Sequence, residues 1–96
     1  MLTSKQKMHL KGLANRMEPI YKIGKKELSN AVVSMLDAAL VAHELIKVQV
    51  LKAVDAPIME VALDLSANTH SEVVQVIGRV IVLFRRNTEK PKITLE

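Results

Sequence analysis

The sequence predicts a single α/β domain in which three helices pack on a four-stranded mixed sheet, in the order α-β-α-β-α-β-β. A length of 96 residues is typical of one domain, and 49% hydrophobic with 25% charged residues is a globular balance. Segments with helical and with β periodicity alternate along the chain, which favours right-handed crossovers and some parallel strand pairs. The last two β segments are separated by two residues, so we expect them to pair antiparallel and make the sheet mixed.

Apolar residues recur at helical spacing in three segments. The first follows a capping box at Thr3–Gln6 and is expected to end before Pro19, because the residue preceding a proline is disfavoured in the α region. The second segment spans residues 28–43. The third is expected to have its N-cap at Asp55 and an apolar stripe that extends to Leu65.

Four segments have the composition and periodicity of β-strands. They are Ile20–Ile23, Leu45–Leu51, Val73–Ile77 and Val80–Phe84. The last segment is apolar at every position, which is typical of a central strand and favours a helix on each face of the sheet. We expect residues 1–86 to form the domain and residues 87–96 to form a C-terminal tail.

The charge is distributed unevenly along the chain. Seven basic residues and one acidic residue give residues 1–26 a charge of +6, and five bases and two acids give residues 79–96 a charge of +3. Residues 53–78 contain four acidic residues and no Lys or Arg. If the two ends meet on one face, they form a basic patch typical of a protein that binds a polyanion. The alternative is a solvated surface whose charge is merely uneven.

The sequence shows no motif of an enzyme, a metal site or a membrane span. Without cysteine there are no disulfides, thiolate ligands or cysteine nucleophiles. His9, His43 and His70 are far apart, and His43 is expected at a helix end, where an imidazole can bond free carbonyls. No apolar run approaches the roughly 18 residues of a membrane span. We therefore expect a cytoplasmic, monomeric, non-enzymatic protein with no cofactor, metal or catalytic residue.

The most informative local feature is the loop between the first strand and the second helix. Gly24 permits a tight turn and close approach of a ligand to the backbone. The helix that follows begins with unpaired N–H groups, which attract anions, and Lys25 and Lys26 add positive charge for phosphates. An ordinary strand-to-helix turn with exposed lysines is the alternative interpretation.

The aromatic content indicates which kind of nucleic acid would fit. Single-strand readers stack bases on aromatic rings, but Tyr21 and Phe84 are the aromatic residues of this chain, and Phe84 is expected in the core. Contact with phosphates and with the shape of a structured RNA therefore fits better than base-by-base reading.

The chain resembles the CRM domain family, and in particular the small stand-alone bacterial YhbY-type proteins, in three separate runs. These runs are Leu2–Gln6, His43–Val48 and Gln75–Arg79. The resemblance extends from Leu2 to about Arg86. It implies a fold similar to the C-terminal domain of the third translation initiation factor, RNA binding, and association with precursor large ribosomal subunits (pre-50S particles).

The family loop has the form Gly-x-x-Gly and, as in KH domains, is taken to contact RNA. In this chain it corresponds to Gly24, Lys25 and Lys26, but Glu27 stands at the fourth position. A glutamate adds a side chain and a negative charge where glycine would allow close approach of a phosphate. It also suits a helix N-terminus when no ligand is bound.

These observations lead to two hypotheses. The first is a binder of structured ribosomal RNA that assists large-subunit assembly, with contacts from Lys5, Lys7, Lys11, Arg16, Lys22, Gly24, Lys25, Lys26, Arg79, Arg85 and Arg86. The second is a protein-interaction module that docks a ribosomal protein or an assembly factor through its acidic face, with Asp55, Glu60, Asp64 and Glu72.

Overall fold

The computed structural model describes residues 2–24, 30–91 and 93, and the statements below refer to these. They form the predicted α-β-α-β-α-β-β order. The elements are α1 (Ser4–Ala14), β1 (Tyr21–Ile23), α2 (Asn30–His43), β2 (Leu45–Val50), α3 (Ile58–Thr69), β3 (Glu72–Ile77) and β4 (Val80–Phe84).

The four strands form one mixed sheet in the order β1-β2-β4-β3. β1 pairs parallel with β2, whereas β4 pairs antiparallel with both β2 and β3. The Gly78-Arg79 turn joins β3 to β4, and Gly78 has a φ of +57°, a conformation that glycine adopts without strain. The predicted fold class is confirmed.

The sheet is covered by helices on both faces. Helices α2 and α3 pack on one face over a core that includes Ile46, Leu83 and the fully buried Leu36. Helix α1 packs on the other face, where Leu10 contacts a second cluster that includes Phe84. All but the first residue of β4 are buried, as expected for a central strand between two layers.

The capping box is confirmed, since Thr3 and Gln6 bond each other's backbone N–H groups. Helix α1, however, ends at Ala14, earlier than the proline signal predicted. The chain must turn there because the Ile20 N–H donates to the Lys47 carbonyl at 2.9 Å, which places β1 beside β2.

The N-cap of α3 is Pro57, so the prediction of Asp55 was wrong. Pro57 is extended, with φ −55° and ψ 137°, and its carbonyl accepts from the N–H groups of Glu60 at 3.0 Å and Val61 at 3.2 Å. The helix thus begins directly after the proline, and no side chain forms a cap bond there.

Glu44 connects the domain to the segment after β4. It follows α2 with a φ of +63°, and its side chain is fully buried. Its carboxylate accepts hydrogen bonds from the backbone N–H of Asn87 at 2.6 Å and of Ile93 at 2.7 Å. The first part of the predicted tail is therefore attached to the domain by a buried carboxyl group. The boundary at residue 86 stays a prediction.

Candidate nucleic-acid interface

One end of the sheet brings together two features that are distant in sequence. The N–H of Leu51, just after β2, donates to the carbonyl of Ile23 at 2.8 Å, and the N–H of Val50 donates to the carbonyl of Arg79 at 2.8 Å. Gly24 follows Ile23 directly. The start of the Gly24 loop and the turn at Arg79 therefore lie at the same end of the sheet.

A row of side chains crosses the sheet near this end. Lys22, Gln49, Val80 and Ile77 are aligned in register across the four strands, so their side chains share one face. Their neighbours in β1, Tyr21 and Ile23, pack into the α2–α3 side, which places the row on the α1 face. Lys22 and Ile77 are exposed, and the other two residues are half-buried. We call these four residues the open row.

Two lysines of α1 point toward the open row. The flank of α1 that carries Leu13 lines a cavity of about 550 Å³ together with Met17, which follows the helix, and Leu45, at the opposite end of the sheet from the open row. Lys7 and Lys11 are half-buried and, by helical spacing, occupy the other flank. They therefore lie between α1 and the open row, on the same face as Lys22.

The other basic residues of the N-terminal region are placed differently. Lys5 is exposed and, by helical spacing, lies on the outer side of α1 toward the Leu13 flank, whereas Arg16 is exposed in the turn that follows the helix. Lys47 is half-buried, and its ammonium donates to the carbonyls of Ala14 at 3.0 Å and Met17 at 3.2 Å. This contact satisfies carbonyls at the end of α1, a structural role that the sequence did not reveal.

Arg79 uses its side chain to hold the turn in place. Its Nε donates to the carbonyl of Val50 at 2.9 Å, and its Nη2 donates to those of Leu51 at 2.9 Å and Val54 at 3.0 Å. The guanidinium therefore fixes the segment after β2 and also contributes positive charge at the end of the sheet that carries Gly24.

Arg85 and Arg86 lie at the opposite end of β4, away from the open row. Arg85 forms an ion pair with Asp37 of α2 and donates to the carbonyls of Thr69 at 2.7 Å and Asp37 at 3.1 Å. Arg86 is exposed and donates to the Ile93 carbonyl at 2.6 Å. The structure does not bring these two arginines together with Lys7, Lys11 and Lys22.

The centre of the predicted loop, Lys25, Lys26 and Glu27, lies outside the described residues. The described residues before and after the loop are Gly24 and Asn30, the residue from which α2 is described. The contact of the loop with phosphates therefore stays a prediction.

The lysines of α1 and the acidic residues of α3 occupy different layers of the fold. The lysines of α1 and Lys22 share one face of the sheet, whereas α3, on the other face, carries Glu60 and Asp64 and no Lys or Arg. Glu72, at the start of β3, instead accepts a hydrogen bond from the Leu2 N–H at 3.0 Å beside α1, so it lies apart from the predicted acidic face.

His43 is the exposed last residue of α2, as expected. Within residues 2–24, 30–91 and 93, no three His, Cys, Asp or Glu side chains are grouped so that they could hold a metal ion. No helix in these ranges is long and apolar enough to cross a membrane.

The structure also reveals an unusual polar group under α1. Gln75 aligns with Val82 on the α1 face of the sheet, next to a register shift in β3. Among the described residues, its Oε1 is buried and has no hydrogen-bond partner. Periodicity predicted the strand, but the register shift, and hence this orphaned oxygen, has no sequence signal.

The fold and the surface together define a small α/β domain with a basic, accessible sheet end and a separate acidic layer. The chain belongs to the CRS1/YhbY (CRM) domain family, whose model matches residues 2–85, and the resemblance of the three sequence runs is confirmed.

Relatives of this chain are named as RNA-binding proteins. It is 38% identical over 95 residues to the "Probable RNA-binding protein YqeI" of Bacillus subtilis, covering 99% of both chains. It is 37% identical over 89 residues to an RNA-binding protein of Haemophilus influenzae, covering 92% of this chain and 89% of that one.

A solved structure has the same fold. The solution structure of the hypothetical protein SAV1595 from Staphylococcus aureus, proposed to bind RNA, superposes with a TM-score of 0.81 at 41% identity, and each chain is covered completely.

Proposed function

We propose that this protein binds structured RNA through a basic surface formed by Lys7, Lys11 and Lys22, which extends to the turn at Arg79 and to the loop that begins at Gly24. The names of its relatives support RNA as the ligand. The observation that carries the proposal is the position of Lys7, Lys11 and Lys22 on one face of the sheet, around the open row that α1 leaves accessible.

The open row favours contact with phosphates over reading of bases. It contains a lysine, a glutamine and two aliphatic residues, so it offers no aromatic ring on which a base could stack. Lysine ammonium groups attract phosphates without fixed geometry, and such contacts position a protein on RNA without selecting a sequence. The surface therefore suits the shape and charge of a folded RNA.

In this proposal Lys25 and Lys26 add two cations at the start of α2, and the Gly24 backbone allows a phosphate to approach closely. Lys5, on the outer side of α1, and Arg16, just after the helix, extend the positive electrostatic potential. Arg85 and Arg86, which bond to the protein at the other end of the sheet, contribute little to RNA affinity.

The target that we propose is large-subunit ribosomal RNA in its precursor form, and the role is non-enzymatic assistance of large-subunit assembly. A protein whose contacts are mostly to phosphates binds where a folded RNA leaves its backbone uncovered, and we expect a precursor particle to leave more of its RNA uncovered than a mature one. Co-sedimentation of the purified protein with precursor and with mature large subunits tests this target. Equal binding to both particles, or binding to neither, contradicts an assembly role.

Charge reversals in and just after α1 test the location of the RNA surface. Lys7→Glu with Lys11→Glu should weaken binding of a fluorescent large-subunit rRNA fragment much more than Lys5→Glu with Arg16→Glu. The two double variants change the net charge equally and lie in the same N-terminal region, so they form a matched pair. The distant variant Lys90→Glu should bind like the native chain. Equal loss in the two double variants would show that the open row does not define the surface.

A further inference from the structure

The outer side of α3 carries an apolar stripe beside an acidic one. Met59 and Leu63 are 52% and 57% exposed, and they lie one helical turn apart. Glu60 and Asp64 have the same spacing and are also exposed. The two stripes therefore run side by side along the helix surface, which we call the α3 outer face.

The fold does not require these apolar residues to be exposed. Val61, Ala62 and Leu65 bury the inner side of α3 against the sheet and complete its contribution to the core. Met59 and Leu63 add nothing to that core, and exposed neighbouring apolar side chains are a common sign of an interaction surface. Methionine is favoured on such surfaces because its side chain adapts to a partner.

We propose that the α3 outer face docks a basic amphipathic helix of another protein. The apolar ridge of that helix would cover Met59 and Leu63, and its flanking Lys or Arg residues would pair with Glu60 and Asp64. The partner must be basic because α3 and the segment before it, residues 53–69, contain three acids and no Lys or Arg. A helix lying in an apolar groove or along an apolar stripe is a recurrent mode of recognition.

Two other occupants fit the surface less well. RNA phosphates would be repelled by Glu60 and Asp64. A second copy of the chain could offer α1, whose Met8 is 72% exposed beside basic residues. That contact would join two different surfaces and would propagate into rings or open chains of molecules.

The docking surface is independent of the proposed RNA surface. Helices α1 and α3 lie on opposite faces of the sheet and pack into separate core clusters. One molecule can therefore hold RNA on the α1 face and a protein on α3 at the same time, and either activity can be tested without the other.

The probe is a synthetic helical peptide with leucines at i, i+3, i+4 and i+7 and lysines at the flanking positions. Titrated into the ¹⁵N-labelled full chain without RNA, it should shift amide resonances of α3 and leave those of α1 unchanged. Leu63→Gln should weaken its binding about tenfold, as truncation of a central contact does. Met35→Gln removes a methionine that is 45% exposed on α2, outside the α3 outer face, and serves as the matched control. A peptide with glutamates in place of the lysines should not bind.

Any of the following results would contradict the proposal. Peptide-induced shifts centred outside α3, or equal affinity of the Leu63→Gln and Met35→Gln variants, would show that this face is not the docking site. Broadening of α3 resonances with rising protein concentration, without peptide, would identify a second copy as the occupant. Shifts of α3 resonances on addition of an rRNA fragment would identify RNA as the occupant of this face. Thermal unfolding of each variant verifies that the helix is intact.

Discussion

Replacement of Glu44 tests how the segment after β4 is attached to the domain. The carboxylate is fully buried and accepts two backbone hydrogen bonds, from Asn87 at 2.6 Å and from Ile93 at 2.7 Å. A hydrogen bond to a charged group contributes about 1.5–3 kcal/mol. The two N–H groups can regain water if the segment detaches, so we expect Glu44→Ala to cost about 3 kcal/mol, the lower end of their sum.

A second variant distinguishes the effect of backbone strain on stability from the effect of losing the side chain at this position. Glu44 has a φ of +63°, which alanine adopts with strain and glycine adopts freely. Glu44→Gly loses the same carboxylate but relieves the strain, so it should be more stable than Glu44→Ala by about 1 kcal/mol.

Urea and thermal unfolding followed by circular dichroism measure these differences. For a domain of this size about 3 kcal/mol corresponds to a fall of about 12–24 °C in Tm. Glu89→Ala, which removes an exposed carboxylate from the same segment, is the control and should change the stability by less than about 0.5 kcal/mol. A Glu44→Ala variant as stable as this control would refute the role assigned to the buried carboxylate.

Three further substitutions test other parts of the fold by the same unfolding measurements. Arg85→Ala should lower the free energy of unfolding by about 2 kcal/mol, because the carbonyl of Thr69 and the carboxylate of Asp37 lose a charged donor. The RNA affinity should change little. A large loss of affinity without loss of stability would contradict the structural role of Arg85. Gly78→Ala should lower the free energy of unfolding by about 1 kcal/mol from backbone strain alone, since an added Cβ would have no atom within 4 Å. An unchanged stability would contradict the left-handed conformation of this turn. Thr3→Ala should cost about 1 kcal/mol by removing the N-cap of α1, and Ser4→Ala, one residue later, should be closer to neutral.

The sequence predicted the architecture because periodicity and composition report directly on burial. The uniformly apolar segment Val80–Phe84 indicated a central strand, and the structure places it between two helical layers. The charge segregation along the chain became a segregation in space for α1 and α3, which lie on opposite faces of the sheet, but not for Glu72, which bonds Leu2 beside α1.

Other features depended on tertiary geometry that no local pattern encodes. The three arginines of the C-terminal region were grouped in one surface, yet β4 separates Arg79 at one end from Arg85 and Arg86 at the other. Glu44 follows a helix, where a charged residue is ordinarily solvated, and its burial becomes visible only when the segment after β4 folds back onto it.

The central claim is that a folded RNA binds the basic surface around the open row through its phosphates. Its most direct test is the affinity for a large-subunit rRNA fragment across a salt series, measured for the native chain and for Lys7→Glu with Lys11→Glu. Neutralising about four to six phosphates predicts a slope near −3 to −5 in log K against log salt, and loss of two contacts should flatten it by about 1.4–1.8. A steep slope that flattens by this amount in the double variant is the expected result. A shallow slope, or a steep one that the reversal leaves unchanged, would contradict the claim.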